Sequence, residues 1–225
     1  MGHSRERDGM DAWRDGRLSR VYHNALAAFV AAALIVQLVI VLRNGLLPRP
    51  TRVIRFLSFF TVESNILVAV GAAMLPTNPF RDGRWWRVVR LDGLIGVAVT
   101  AVIYHSVLAG LQNLTGWDRA ADVALHYVSP MAAVLGWLAF GPRPRIDATT
   151  VRLALIWPVA YLGYTLWHSA ATSWYPYPFV DVGLHGYGRV LLNCAVVTVV
   201  LGVLAGAAWL VDQRAPATAP VPVTD

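Results

Sequence analysis

Six long apolar runs alternate along the chain with short polar stretches that gather nearly all of its charge. The runs fall at residues 21–42, 53–75, 91–111, 120–140, 151–171 and 187–211. At 1.5 Å per residue, a helix of about twenty residues crosses the ~30 Å of hydrocarbon in a bilayer. None of the runs alternates apolar and polar positions with a period of two, and all exceed the length of a strand, so strands are a poor alternative. Breakers punctuate the connections: Pro48 and Pro50, then Pro76 and Pro79, then Gly141, Pro142 and Pro144. The pattern predicts an all-α membrane protein, a bundle of six transmembrane helices over residues 21–211. A polar segment, 1–20, precedes the bundle, and a disordered tail rich in proline and alanine, 212–225, follows it.

Composition strengthens this picture. Hydrophobic residues make up 56% of the chain and charged ones only 14%, against about a quarter in a soluble domain. All 19 basic residues are arginine, and the net charge is +6. These arginines flank the apolar runs instead of forming a patch, so no nucleic-acid partner is expected. Residues 1–20 lack a short apolar core followed by a small-residue cleavage site, so the first run reads as a retained helix. The single cysteine, Cys194, excludes a disulfide framework and a thiolate metal site. Alternate loops divide the arginines 13 to six. The positive-inside rule then predicts a cell-membrane protein with both termini in the cytoplasm.

Given that orientation, depth can be read along each run. Thr61 lies eight residues into the second run, about 12 Å below its outer end. His126 lies six residues into the fourth, roughly 9 Å deep. His105, His168 and Asn193 come close to the same outer face from the third, fifth and sixth runs. Five helices thus bring polar side chains to one layer, although neighbouring helices run in opposite directions. Each residue also has an ordinary explanation. A membrane threonine commonly bonds a carbonyl of the preceding turn, and intramembrane histidine or asparagine often only joins helices. Glu63 is harder to set aside, since an ionisable group at this depth marks a candidate functional site.

At 100° per residue, Thr61, Ser64 and Asn65 share a helical face, whereas Glu63 points about 200° from Thr61, toward a different neighbour. Asp122 precedes His126 by four residues, so the two side chains can meet on one face. That set fits acyl transfer, with Thr61 as nucleophile, His126 as base and Asp122 orienting the imidazole. Asn65 or Ser64 would then donate to the oxyanion. The aromatic segment of Trp174, Tyr175, Tyr177 and Phe179 is expected to form an interfacial belt or a lid over the opening. No cofactor and no metal is needed for this chemistry.

Three blocks carry a resemblance: "FFTVESNILV" (59–68), "LHYVSPMAAVLGWLAF" (125–140) and "WYPYPFVDVGLHGYGRVLLN" (174–193). Together they resemble the bacterial six-span membrane family labelled Pr-six-Pr, over most of the chain. That family is distantly similar to the androgen-induced and androgen-dependent membrane hydrolases of animals, which cleave fatty acid esters of hydroxy fatty acids. The resemblance implies six spans, a membrane lipid or long-chain acyl ester as substrate, and a threonine and histidine pair that falls on Thr61 and His126. The bacterial blocks often carry glutamine where this chain has Glu63.

Three other readings compete. His105, His126, His168, His185 and Asp181 offer zinc-type ligands, although no two of the histidines share a span at ligand spacing. Glu63 is also the natural titrating group of a small-molecule or proton transporter, but no internal repeat is evident. The remaining alternative is a non-enzymatic membrane protein.

Overall fold

The computed structural model describes residues 2–43, 45–78, 81–111 and 113–217, with side chains from Gly16 onward. Among the described residues all regular structure is helical: α1 (Gly2–Arg43), α2 (Arg49–Leu57), α3 (Phe60–Ala73), α4 (Arg84–Ile103), α5 (Gly116–Val123), α6 (Ser129–Phe140), α7 (Ala148–Ala154), α8 (Ile156–Thr172) and α9 (Val182–Arg214). A π-helical turn, Tyr104–Leu108, extends α4, and a second, Ala124–Val128, joins α5 to α6. The predicted tail begins three residues too early, because α9 continues to Arg214. Asp212 explains the extension: its carboxylate is buried and accepts from the Arg145 and Ile146 amides at 2.6 and 2.7 Å. Residues 218–225 of the predicted tail lie outside the described residues.

Four helical stretches are long and apolar enough to cross a membrane: Gly16–Arg43, Arg84–Leu108, Gly116–Phe140 and Val182–Arg214. Helices α2 and α3 add a fifth if taken as one span, but they meet at 71°, so the second run is broken where the apolar pattern predicts a continuous helix. The fifth run is also divided, at Leu155, and α8 alone has 17 residues. That is the short end of the roughly 17–25 residues that span a bilayer. Among the described residues the chain is all-helical, with four to five helices long and apolar enough to span a membrane, as a membrane protein requires. Its outer surface agrees, since Ile35, Val102, Val159, Val199 and Val203 are all exposed.

Helix α4 is the axis of the bundle and packs against α3, α6, α7 and α9. Two glycines let α3 come close. A Cβ on Gly93 would stand 3.0 Å from the Val68 amide nitrogen, and one on Gly96 would stand 2.7 Å from Ser64 Oγ. Phe60, Leu91, Ile95, Val99, Trp137 and Leu201 build the main core along this axis. Helix α1 lies outside it, with Leu26 and Val30 packed on Val68, Ala72 and Val97. Arg52, in α2, donates to the Val41 and Leu42 carbonyls at 3.2 and 2.8 Å and so closes the C-terminal end of α1.

Candidate active site

The site begins with the break between α2 and α3. Ser58 Oγ donates to the Ile54 carbonyl at 2.7 Å, a back-bond of the kind that bends helices, and Phe59 then turns extended (φ −84°, ψ 126°). A break at membrane depth frees backbone groups that have no water to turn to, and each must find a protein partner. Tyrosines supply them. The Tyr161 hydroxyl donates to the Ser58 carbonyl at 2.9 Å and accepts from the Phe60 amide at 3.2 Å. The Thr61 amide donates to the Tyr177 hydroxyl at 3.3 Å. Thr61 is therefore the second residue of a new helix. The carbonyl four residues back belongs to α2, and the threonine hydroxyl meets His126 instead.

His126 is held on three sides. Its Nδ1 lies 3.0 Å from the Asp122 carbonyl oxygen and 3.1 Å from Asp122 Oδ1. Both of these are acceptors, so Nδ1 carries the proton and Nε2 presents a lone pair. That lone pair faces Thr61 Oγ1 at 3.4 Å. The separation exceeds the usual range of about 2.7–3.2 Å, and such contacts commonly tighten only with substrate bound. One face of the imidazole stacks on the Tyr104 ring, with centroids 4.0 Å apart and planes at 21°. The Tyr104 hydroxyl donates to Asp122 Oδ2 at 2.6 Å, and Arg119 reaches the same oxygen at 3.0 Å. Asp122 thus fixes the imidazole tautomer and provides a counter-charge for an imidazolium. Tyr104 and His126 each sit in a π-helical turn, a local widening often found at functional sites.

The structure brings Thr61, His126 and Asp122 together and leaves the other sequence candidates apart. The Asn65 amide group donates to the Thr61 and Leu125 carbonyls at 2.8 and 3.3 Å. Ser64 donates to the Phe60 carbonyl at 2.7 Å. Neither is placed as an oxyanion donor, because both back-bond to their own helix and Asn65 also pins it to the residue before His126. Glu63 does face a different helix, as its phase predicts: it accepts from Trp157 Nε1 of α8 at 3.0 Å. His105 is exposed, with Nδ1 3.3 Å from the Tyr127 hydroxyl. His168 stacks on Tyr164 at 5.4 Å. Asn193 donates to the Phe179 carbonyl at 2.7 Å. These three make their contacts away from Thr61 and His126. Asp181 caps α9 by accepting from Gly183 and Leu184, and His185 is exposed. Among the described residues no three metal-ligating side chains come together.

Thr61 and His126 lie between two cavities. One, of about 100 Å³, runs among apolar side chains of α4, α8 and α9, including Val99, Leu162 and Leu201. The other, of about 580 Å³, lies toward α1 and α5 and is lined in part by Gln37, Asp118 and Asp122. Thr61, Tyr104, Leu108, His126 and Tyr177 line both. The arrangement suits a general base poised on a hydroxyl, with an apolar chamber on one side and a more polar one on the other. Comparison of the chain with protein-family models, curated proteins and solved structures found no match.

Sequence reading missed Tyr104, Tyr161 and Arg119 as parts of the site. Arg119 stands three residues before Asp122 and was within reach of a spacing argument. The tyrosines lie in separate runs, and no spacing rule connects them to Thr61. For Glu63 the geometry yields a specific expectation. Glu63→Gln keeps a carbonyl for the Trp157 indole and should leave the melting temperature of the detergent-solubilised protein nearly unchanged. Glu63→Leu leaves the half-buried indole N–H without its acceptor and should cost about 1 kcal/mol, read as a fall in the same melting experiment. Equal melting of the two variants would show that the Trp157 bond contributes nothing.

Proposed function

We propose that this chain is an integral membrane lipid ester hydrolase in which Thr61 is the nucleophile, His126 the general base and Asp122 its orienter. The observation that carries this reading is the relay Asp122–His126–Thr61, with His126 Nε2 3.4 Å from the threonine hydroxyl beside an apolar cavity. His126 Nε2 takes the hydroxyl proton as Thr61 Oγ1 attacks the ester carbonyl carbon. The tetrahedral oxyanion then collapses, the carbon–oxygen bond to the alcohol breaks, and the alcohol leaves with the proton from His126. Water, deprotonated by the same nitrogen, attacks the acyl-threonine ester. The fatty acid departs, and Thr61 regains its proton. The apolar cavity would take the first few carbons of an acyl chain, and the alcohol arm would face the more polar one. The resemblance of the three sequence blocks to the six-span family points to the same pair of residues.

Six crossings are part of this proposal. Helices α7 and α8 are joined through the single residue Leu155, and with α2 and α3 counted as one crossing the total is six. Arginine counts support both termini in the cytoplasm, which places the relay in the outer half of the bilayer. In a background lacking Cys194, an impermeant thiol probe should label Trp117→Cys in intact cells and should not label Trp85→Cys; the reverse pattern overturns the orientation.

The chemistry is tested with a long-chain acyl ester and the purified full chain. Thr61→Ala should abolish hydrolysis, since the attacking oxygen is gone, while Thr61→Ser should retain part of it. His126→Ala should lower turnover by about 100-fold or more, the usual scale for losing a general base, and Asp122→Asn should cost less. A chelator should have no effect. Full activity in Thr61→Ala sinks the reading, and activity lost to a chelator and restored by zinc replaces it with metal chemistry.

A further inference from the structure

A hydrolase that passes through a tetrahedral oxyanion needs a donor aimed at that oxygen, and the two donors expected from the sequence are spent. Both hydrogen bonds formed by the Asn65 amide go to carbonyls, and the Ser64 hydroxyl goes to Phe60. The Tyr161 hydroxyl donates to the Ser58 carbonyl. Tyr177 stands differently. Its hydroxyl accepts from the Thr61 amide at 3.3 Å and neighbours both the Thr61 side chain and the Tyr161 hydroxyl. It also lines both cavities that meet at Thr61 and His126. Resting on the hydrolase reading, we propose that the Tyr177 hydroxyl, together with the Thr61 amide, is the oxyanion donor of this site.

The position follows from the chemistry of attack. When Thr61 Oγ1 bonds to the carbonyl carbon, rotation about that bond can bring the former carbonyl oxygen beside the nucleophile's own backbone. Donors must then stand about 2.7–3.1 Å from that oxygen. In the resting site the Thr61 amide points at the Tyr177 oxygen, so both groups already share one small volume. As negative charge develops on the substrate oxygen, the amide turns to it and the phenol donates its proton in a hydrogen bond without losing it. The ring is pre-organised for this. It stacks on Phe179 with centroids 5.4 Å apart and meets Phe59 edge-on at 5.7 Å. Phe179 is held in turn by Asn193 through the 2.7 Å bond to its carbonyl. The aromatic segment that the sequence offers as a lid therefore delivers a catalytic hydroxyl to the nucleophile.

The test compares Tyr177→Phe, Thr61→Ala and the parent full chain, in detergent micelles with p-nitrophenyl palmitate as substrate. Tyr177→Phe keeps the ring and removes the donor. It should lower kcat by about 100-fold, the scale of losing one oxyanion donor, with KM held within about threefold, a split that a merely structural role would not produce. Phosphonylation by an alkyl fluorophosphonate builds charge on the same oxygen and should slow in parallel. If Thr61→Ala is inactive but Tyr177→Phe retains kcat within about threefold, the oxyanion role is wrong and the hydrolase reading stands. If Thr61→Ala is fully active, both fall. Where Tyr177→Phe fails to fold, fluorotyrosine at position 177 decides the matter, because it preserves shape while lowering the phenol pKa. The alkaline fall in kcat should then move to lower pH, and an unmoved profile overturns the proposal.

Discussion

One hydroxyl makes the rest of this site possible. Tyr161 bridges the break in the second apolar run, donating to the Ser58 carbonyl and accepting from the Phe60 amide. In hydrocarbon an unpaired backbone group costs several kcal/mol, so a bend of 71° there stands only while such partners exist. The break has a chemical consequence: it starts a new helix at Phe60, turns Thr61 away from an ordinary back-bond and leaves its amide outside the helical ladder. The threonine hydroxyl and amide are then both available at one point in the bundle.

Opposite them, polar groups from the start of the fourth run and from its neighbours gather on a single imidazole. Asp122 is buried yet satisfied by Tyr104, Arg119 and His126 together. A buried carboxylate without such partners would be costly, and with them it orders everything around it. The stacked Tyr104 ring fixes the plane of the imidazole, while the Asn65 bond to the Leu125 carbonyl fixes the height of the turn that bears it. Two helices are thereby registered against one another by polar contacts.

Much of this was legible in the sequence, for reasons that can be named. Rise per residue placed Thr61 and His126 at one depth, and four-residue spacing paired Asp122 with His126. Helical phase sent Glu63 toward another helix, where it meets Trp157. The same depth argument also gathered His105, His168 and Asn193, which the structure turns elsewhere. Depth is a one-dimensional coordinate, and only packing fixes the angle about each helix. The break at Ser58 was invisible because it uses neither proline nor glycine; its cause is a serine back-bond and tyrosines more than a hundred residues away. The two π-helical turns likewise leave no mark in the hydrophobic pattern.

If His126 activates Thr61 Oγ1 as a nucleophile, a long-chain alkyl fluorophosphonate should trap it in the full chain, with the adduct located by digestion and mass spectrometry. One phosphonyl adduct on Thr61 is expected, absent when His126 is replaced by alanine. An adduct on another residue, or ester hydrolysis by a chain that never forms one, would contradict this role.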